Sequence, residues 1–305
     1  MKYKEWIKIW LEYKIRPTTK QWTYNRYEII VRCHILPELG EKDLDDLTPF
    51  ALQVFTVKLS GKGLSASTVN VIISALKNSI NSAVDFGVTE TKCADKLIRP
   101  RLVEKHVTCF SKEEQRKIED YIFSKKTPKL YGILLCLYSG IRLGELLALT
   151  WDDVNLSEGL LTISKSCHDN WNDGVYTKII DTPKTPSSIR VIPLPSKLLT
   201  HLADARDKSC GLYVVDNNDQ YGEKVRTYQK MFETMLSRMK IAHKGFHSLR
   251  HTFATRALEC GMDVKSLSEI LGHKNPTITL NRYAHSLWEH KQHMMNKLGE
   301  MLLQQ

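Results

Sequence analysis

Apolar side chains along the first hundred residues recur with the period of a helix and never with that of a strand. Trp6, Ile9, Trp10 and Tyr13 stand at helical spacing, and a second helix is expected after Thr18-Thr19, presenting Tyr24, Tyr27 and Val31. Thr48-Pro49 supplies a cap followed by proline at the first helical position, and Gly61 offers a stop. The loop Gly61-Lys62-Gly63-Leu64-Ser65 leads into a long helix from about Ser67 to Asp85, closed by Gly87. Around Arg99-Pro100-Arg101 and Glu104-Lys105-His106 periodicity disappears, which places a linker at 100–108.

Beyond the linker the pattern mixes. Ser111-Lys112-Glu113-Glu114 forms a capping box that opens a helix. Short strands are expected at about Leu160–Ser166, Val175–Ile180 and Ser188–Pro193, the last on the alternation of Ile189 and Val191. Thr182-Pro183-Lys184-Thr185-Pro186-Ser187-Ser188 reads as a hairpin turn ahead of that strand. Helices return at about Ser196–Arg206, Lys224–Met239, Ser248–Cys260, Val264–Leu271 and Thr277–Tyr283. Leu287, Met294, Leu298, Met301 and Leu302 then form one apolar stripe, either folded on its own core or donated to a neighbour. The expected fold is mainly α with a small antiparallel sheet: a helical domain over 1–99, then a mixed α+β domain over 109–305.

Charge sharpens this picture. Lys and Arg number 44 against 34 Asp and Glu, a net +10, which favours a polyanionic partner, nucleic acid first. Lys62, Arg99, Arg101 and Lys105 are the basic residues best suited to phosphates. Seven cysteines stand singly without paired spacing, the opening residues are charged, and the longest apolar run, Ile133 to Tyr138, is too short to span a bilayer. A cytoplasmic protein with reduced thiols and no membrane partner is expected.

Taken singly, the chemically able residues have ordinary readings. Arg142 follows Ser139-Gly140 at a helix start and would serve as a surface ion-pair partner. Lys184 would be a solvated turn cation, and Tyr283 a core aromatic. His247 and His251 lie four apart and share a helix face, but no third metal ligand stands at a recognisable spacing. Their order along the chain changes the reading. Ser139-Gly140-Ile141-Arg142, Lys184, His247-Ser248-Leu249-Arg250-His251, Leu271-Gly272-His273 and Tyr283 together resemble the tyrosine recombinase, or phage integrase, family, in particular integrases of phages and conjugative transposons. The likeness runs from Ser111 to the end. It extends more loosely to the first half, where Gly63-Leu64-Ser65 and Thr68-Val69-Asn70 look like a core-binding, SAM-like domain.

That resemblance implies an enzyme that cleaves and rejoins DNA through a 3′-phosphotyrosine link, integrating and excising a mobile element. Arg142 and Arg250 would clamp the phosphate with His273 and His251. Tyr283 would attack, His247 would take its proton, and Lys184 would protonate the leaving 5′-oxygen. Glu145 would orient neighbouring cations. One phosphoester replaces another, so no cofactor, metal or ATP is called for. Partners would be duplex DNA at attachment sites, three further copies in a tetramer on two duplexes joined through an exchange helix at 286–305, and an excisionase or a host DNA-bending protein. Many members carry an arm-site-binding domain ahead of the helical one, whereas this chain opens on helical-domain sequence. A type IB-like topoisomerase and a catalytically idle DNA-binding regulator are the competing readings. The intact set of six residues argues against the regulator, and the apolar tail argues against a monomeric topoisomerase.

Overall fold

The computed structural model describes all residues except 91, 103–106, 173–174, 183–187, 210, 216–222, 284–286 and 304–305, and the side chains of 171, 172, 175, 281, 282, 287–291 and 293. The chain separates into two units, Met1–Lys105 and His106–Gln305.

The first unit is helical. It comprises α1 (Tyr3–Trp10), α2 (Arg16–Thr18), α3 (Gln21–Ile30), α4 (Leu36–Leu39), α5 (Pro49–Gly61) and α6 (Ala66–Asp85). A π turn, Leu11–Ile15, joins α1 to α2, and another, Val31–Ile35, joins α3 to α4. Each ends two residues before a proline, Pro17 or Pro37. A proline has no amide proton and its ring crowds the preceding turn, so the helix widens locally. Thr48 caps α5 by accepting from the Ala51 amide at 3.1 Å, and Ser65 caps α6 through Thr68 at 3.1 Å.

The core of this unit forms where α1 meets α6. Val69, Ile72, Ile73, Leu76 and Ile80 bury one face of α6. Trp6 Nε1 donates to the Ser79 carbonyl at 2.9 Å and Trp10 Nε1 to Ser82 Oγ at 3.1 Å, so both indoles bury without losing a partner. The expected stripe on α1 needs correction. Ile9 is 41% and Tyr13 75% exposed, whereas Tyr3, Ile7, Leu11 and Ile15 are buried.

The second unit is α+β. Its helices are α7 (Lys112–Lys125), α8 (Pro128–Ser139), α9 (Leu143–Leu146), α10 (Ser196–Asp207), α11 (Val225–Arg238), α12 (His247–Glu259), α13 (Val264–Leu271), α14 (Pro276–Tyr283) and α15 (Leu287–Leu302). Ser111 and Glu114 close the expected capping box on α7. Helix α8 is buried from Leu130 to Leu137 and packs against α7, α10 and α12, as a helix apolar on every side must.

The strands are β1 (Val154–Asn155), β2 (Leu160–Ile163), β3 (Ser166–Asn172), β4 (Val175–Asp181) and β5 (Arg190–Pro193). They make two antiparallel sheets, β1-β2-β5 with Leu161 opposite Ile192, and the ribbon β3-β4 with Cys167 opposite Ile180. One expectation changes here. Strand β3, Ser-Cys-His-Asp-Asn-Trp-Asn, lacks the β-branched residues that mark a strand and escaped notice. Among the described residues β4 pairs with β3 and β5 with β2, and residues 183–187, where the hairpin turn is expected, lie outside the described residues. Among the described residues no helix is long and apolar enough to cross a membrane.

Candidate active site

Two glycines set the backbone of the site. Gly140 ends α8 at φ +66° with its amide on the Cys136 carbonyl. A Cβ there would stand 2.4 Å from Phe253 Cδ1, so the α8 terminus and α12 approach closely only because the residue is glycine. The chain then turns into Arg142, the cap of α9, whose amide donates to Glu145 Oε2 at 2.9 Å. Gly272, at φ +63°, ends α13 and turns the chain into His273.

On these turns three guanidinium groups gather round one buried carboxylate. Arg142 NH1 donates to Glu145 Oε1 at 2.7 Å and its NH2 to the Gly272 carbonyl at 3.3 Å. Arg190 donates from NH1 and NH2 to the two oxygens of Glu145, at 3.2 and 2.8 Å. Arg250, from α12, donates to the carbonyls of Gly140 at 2.8 Å and Leu271 at 2.7 Å. Burial drives the Glu145 carboxyl up, but hydrogen bonds and charge from Arg190, with the charge of Arg142, outweigh it and hold the group below its ordinary value. Burial first, then the Arg142 charge, lowers Arg250 to about 9, so it is cationic at neutral pH. Three cations against one anion leave a local excess of positive charge suited to a phosphate. Arg142 is the most accessible of the three, with 36% of its side chain exposed against 7% for Arg190.

The histidines complete the arrangement. Arg250 NH2 lies 2.9 Å from His273 Nε2, and a guanidinium can only donate, so Nε2 accepts and the proton sits on Nδ1. Nδ1 then donates to Thr279 Oγ1, 2.7 Å away and fully buried. His251 Nδ1 lies 2.7 Å from the hydroxyl of Tyr283. The tyrosine ring is buried among Ala254, Leu258, Leu267 and Leu271. His247 stacks edge-on against His251 with ring centroids 4.6 Å apart, and it lines a cleft of about 330 Å³ with Arg250, Ile141, Leu143 and Gln229.

Five of the six expected catalytic residues, Arg142, His247, Arg250, His273 and Tyr283, thus converge, with Glu145 and His251 among them. Lys184 lies outside the described residues, as does Lys105. The phenol hydrogen-bonds to His251, and His247, expected to take its proton, stands against His251. Elsewhere, Lys62 ion-pairs with Glu38 at 3.0 Å, Arg99 NH1 donates to Ser74 Oγ at 3.1 Å, and Arg101 is exposed. Arg190 was missed. The overlooked signal is the alternation at β5, where Ile189, just ahead of the strand, and Val191 are each 55% exposed while Arg190 and Ile192 turn inward. Among the described residues no three His, Cys, Asp or Glu side chains gather where they could hold a metal ion.

Residues 100–290 match the Phage integrase family, and residues 2–60 the phage integrase N-terminal SAM-like domain. A "Tyrosine recombinase XerC-like" protein of Caldanaerobacter subterraneus is 29% identical over 96% of this chain and 82% of its own. The "Transposase from transposon Tn916" of Enterococcus faecalis is 27% identical over 86% and 69%. The integrase of transposon Tn1549, solved with a circular intermediate DNA, shares the fold at TM-score 0.82 and 23% identity, over 98% of this chain and 99% of that one. The chain belongs to the phage integrase family and is a tyrosine-type site-specific recombinase.

Proposed function

We propose that this recombinase integrates and excises a mobile element by forming a 3′-phosphotyrosine at Tyr283. The observation that carries the reading is the phenol of Tyr283 on His251, one residue from the buried guanidinium of Arg250. Similarity to the Tn916 transposase supports the mobile-element assignment.

Phosphoryl transfer of this kind is accelerated chiefly by positioning and by neutralising charge on the non-bridging oxygens. Arg142 and Arg250 supply that charge, and His273, fixed by Thr279, steadies Arg250. The free phenol, with an ordinary pKa of about 10, attacks poorly until its proton is taken. His251 is the acceptor within reach, with His247 beside it. The Tyr283 oxygen bonds to phosphorus as the bond to the 5′-oxygen breaks, and Lys184 returns a proton to that oxygen. The freed 5′-hydroxyl, or one from a partner duplex, reverses the step. Bond energy is conserved, so no external energy source enters.

Both units bind duplex DNA at attachment sites, with Lys62, Arg99, Arg101 and Lys105 on phosphates. Four copies assemble on two duplexes through α15, where Met294, Leu298, Met301 and Leu302 are exposed. An excisionase or a host DNA-bending protein sets direction. Strand exchange between two attachment-site duplexes tests the reading: recombinant joints support it, and relaxation of supercoils without joints would favour a topoisomerase.

A further inference from the structure

We propose that Arg190 is a positioning residue for cleavage, tying three separate stretches of the site into one rigid unit. The inference rests on the recombinase chemistry above. Arg190 is the first residue of β5, and its side chain is only 7% exposed. Its fork holds both oxygens of Glu145, which in turn holds Arg142 by side chain and by amide. Its Nε donates to the Ile270 carbonyl at 2.5 Å, three residues before His273. NH1 also donates to the Ser188 carbonyl at 2.9 Å, four residues after Lys184. The same side chain fills the space beside Gly272, where a Cβ would stand 3.0 Å from NH1. One guanidinium thus touches the support of Arg142, the turn that delivers His273, and the residues leading into β5.

A planar fork can serve all of these partners at once, whereas an ammonium is a point charge. Without it, Glu145 would be left buried with Arg142 alone, and the carboxylate would draw that guanidinium inward, away from the phosphate. A displacement of about 1 Å costs on the order of a hundredfold in rate. Arg190 lies behind Glu145 and does not itself meet the phosphate, so DNA affinity should survive its loss.

Single-turnover cleavage of a nicked attachment-site duplex, run at half-saturating and saturating protein, reads this directly. Arg190→Met should cleave about a hundredfold more slowly at saturation, with affinity changed by less than about threefold. The double variant Arg190→Met with Glu145→Gln should be no slower than Arg190→Met alone, because both act through Arg142. Arg190→Lys keeps the stem and a charge, so it guards against a folding failure, and it should still cleave at least about tenfold slowly. Unaltered saturating rates in Met or Lys variants, loss of affinity without loss of rate, or additive effects in the double variant would each overturn the proposal. Absence of any covalent product from the unaltered protein would instead overturn the underlying chemistry and this inference with it.

Discussion

Tyr283 Oη and His251 Nδ1 stand 2.7 Å apart within a single chain, joining the end of α14 to the first turns of α12. Tyr283, the proposed nucleophile, is therefore held by a histidine of the same chain, one residue from Arg250. A histidine placed there can take the phenol proton as attack begins. Replacing it with glutamine keeps a polar partner and removes the base. His251→Gln should slow cleavage by about a hundredfold or more while leaving DNA affinity intact. Single-turnover rates set against gel-shift titrations check this.

Glu145 is 3% exposed and shared by two arginines, so its removal strands both charges. Glu145→Ala should destabilise the second unit by roughly 3–5 kcal/mol. Its carboxyl titrates below the ordinary 4.5 in the folded protein. A carboxylate whose folded pKa lies below the unfolded one stabilises fully above the unfolded value and loses that contribution as pH falls through the folded value. Melts taken from neutral to acid pH should fall more steeply below about pH 4.5 for the unaltered protein than for Glu145→Gln.

Much of this was legible in the sequence because the signals were local. Caps at Thr48 and Ser111 depend on a few neighbouring side chains. What escaped depends on partners far along the chain. Ile9 and Tyr13 share the helical period of Trp6 and Trp10, but only docking against α6 decides which face is buried. Strand β3 is held by pairing with β4, and its Asp169 accepts from the Val225 and Arg226 amides at 3.1 Å, capping α11 from another element. Arg190 hid in the same way, an inward-facing charge whose carboxylate lies 45 residues earlier.

Gly144 offers a steric test of how α9 seats Arg142. A Cβ there would stand 2.7 Å from the Cys167 carbonyl oxygen and 2.8 Å from Ser166 Oγ. Backbone cannot yield as a flexible side chain can. Gly144→Ala should cost about 1–3 kcal/mol in urea melts and reduce cleavage with it.

The last helix tests assembly. Leu298 is 41% and Met301 66% exposed, on a helix that runs beside α12. Leu298→Asp with Met301→Asp should leave cleavage of a single nicked site within about threefold and abolish the proposed four-copy complex on two duplexes. Mass measurement of the DNA-bound species distinguishes four copies from fewer.

The most direct test of the central claim is to trap the protein on a nicked duplex of its attachment site, digest it and locate the nucleotide by mass spectrometry. Attack by the phenol should leave a 3′-phosphate ester on Tyr283, a free 5′-hydroxyl on the released strand, and no adduct from Tyr283→Phe. An adduct on another residue, or an undiminished adduct in Tyr283→Phe, would contradict it.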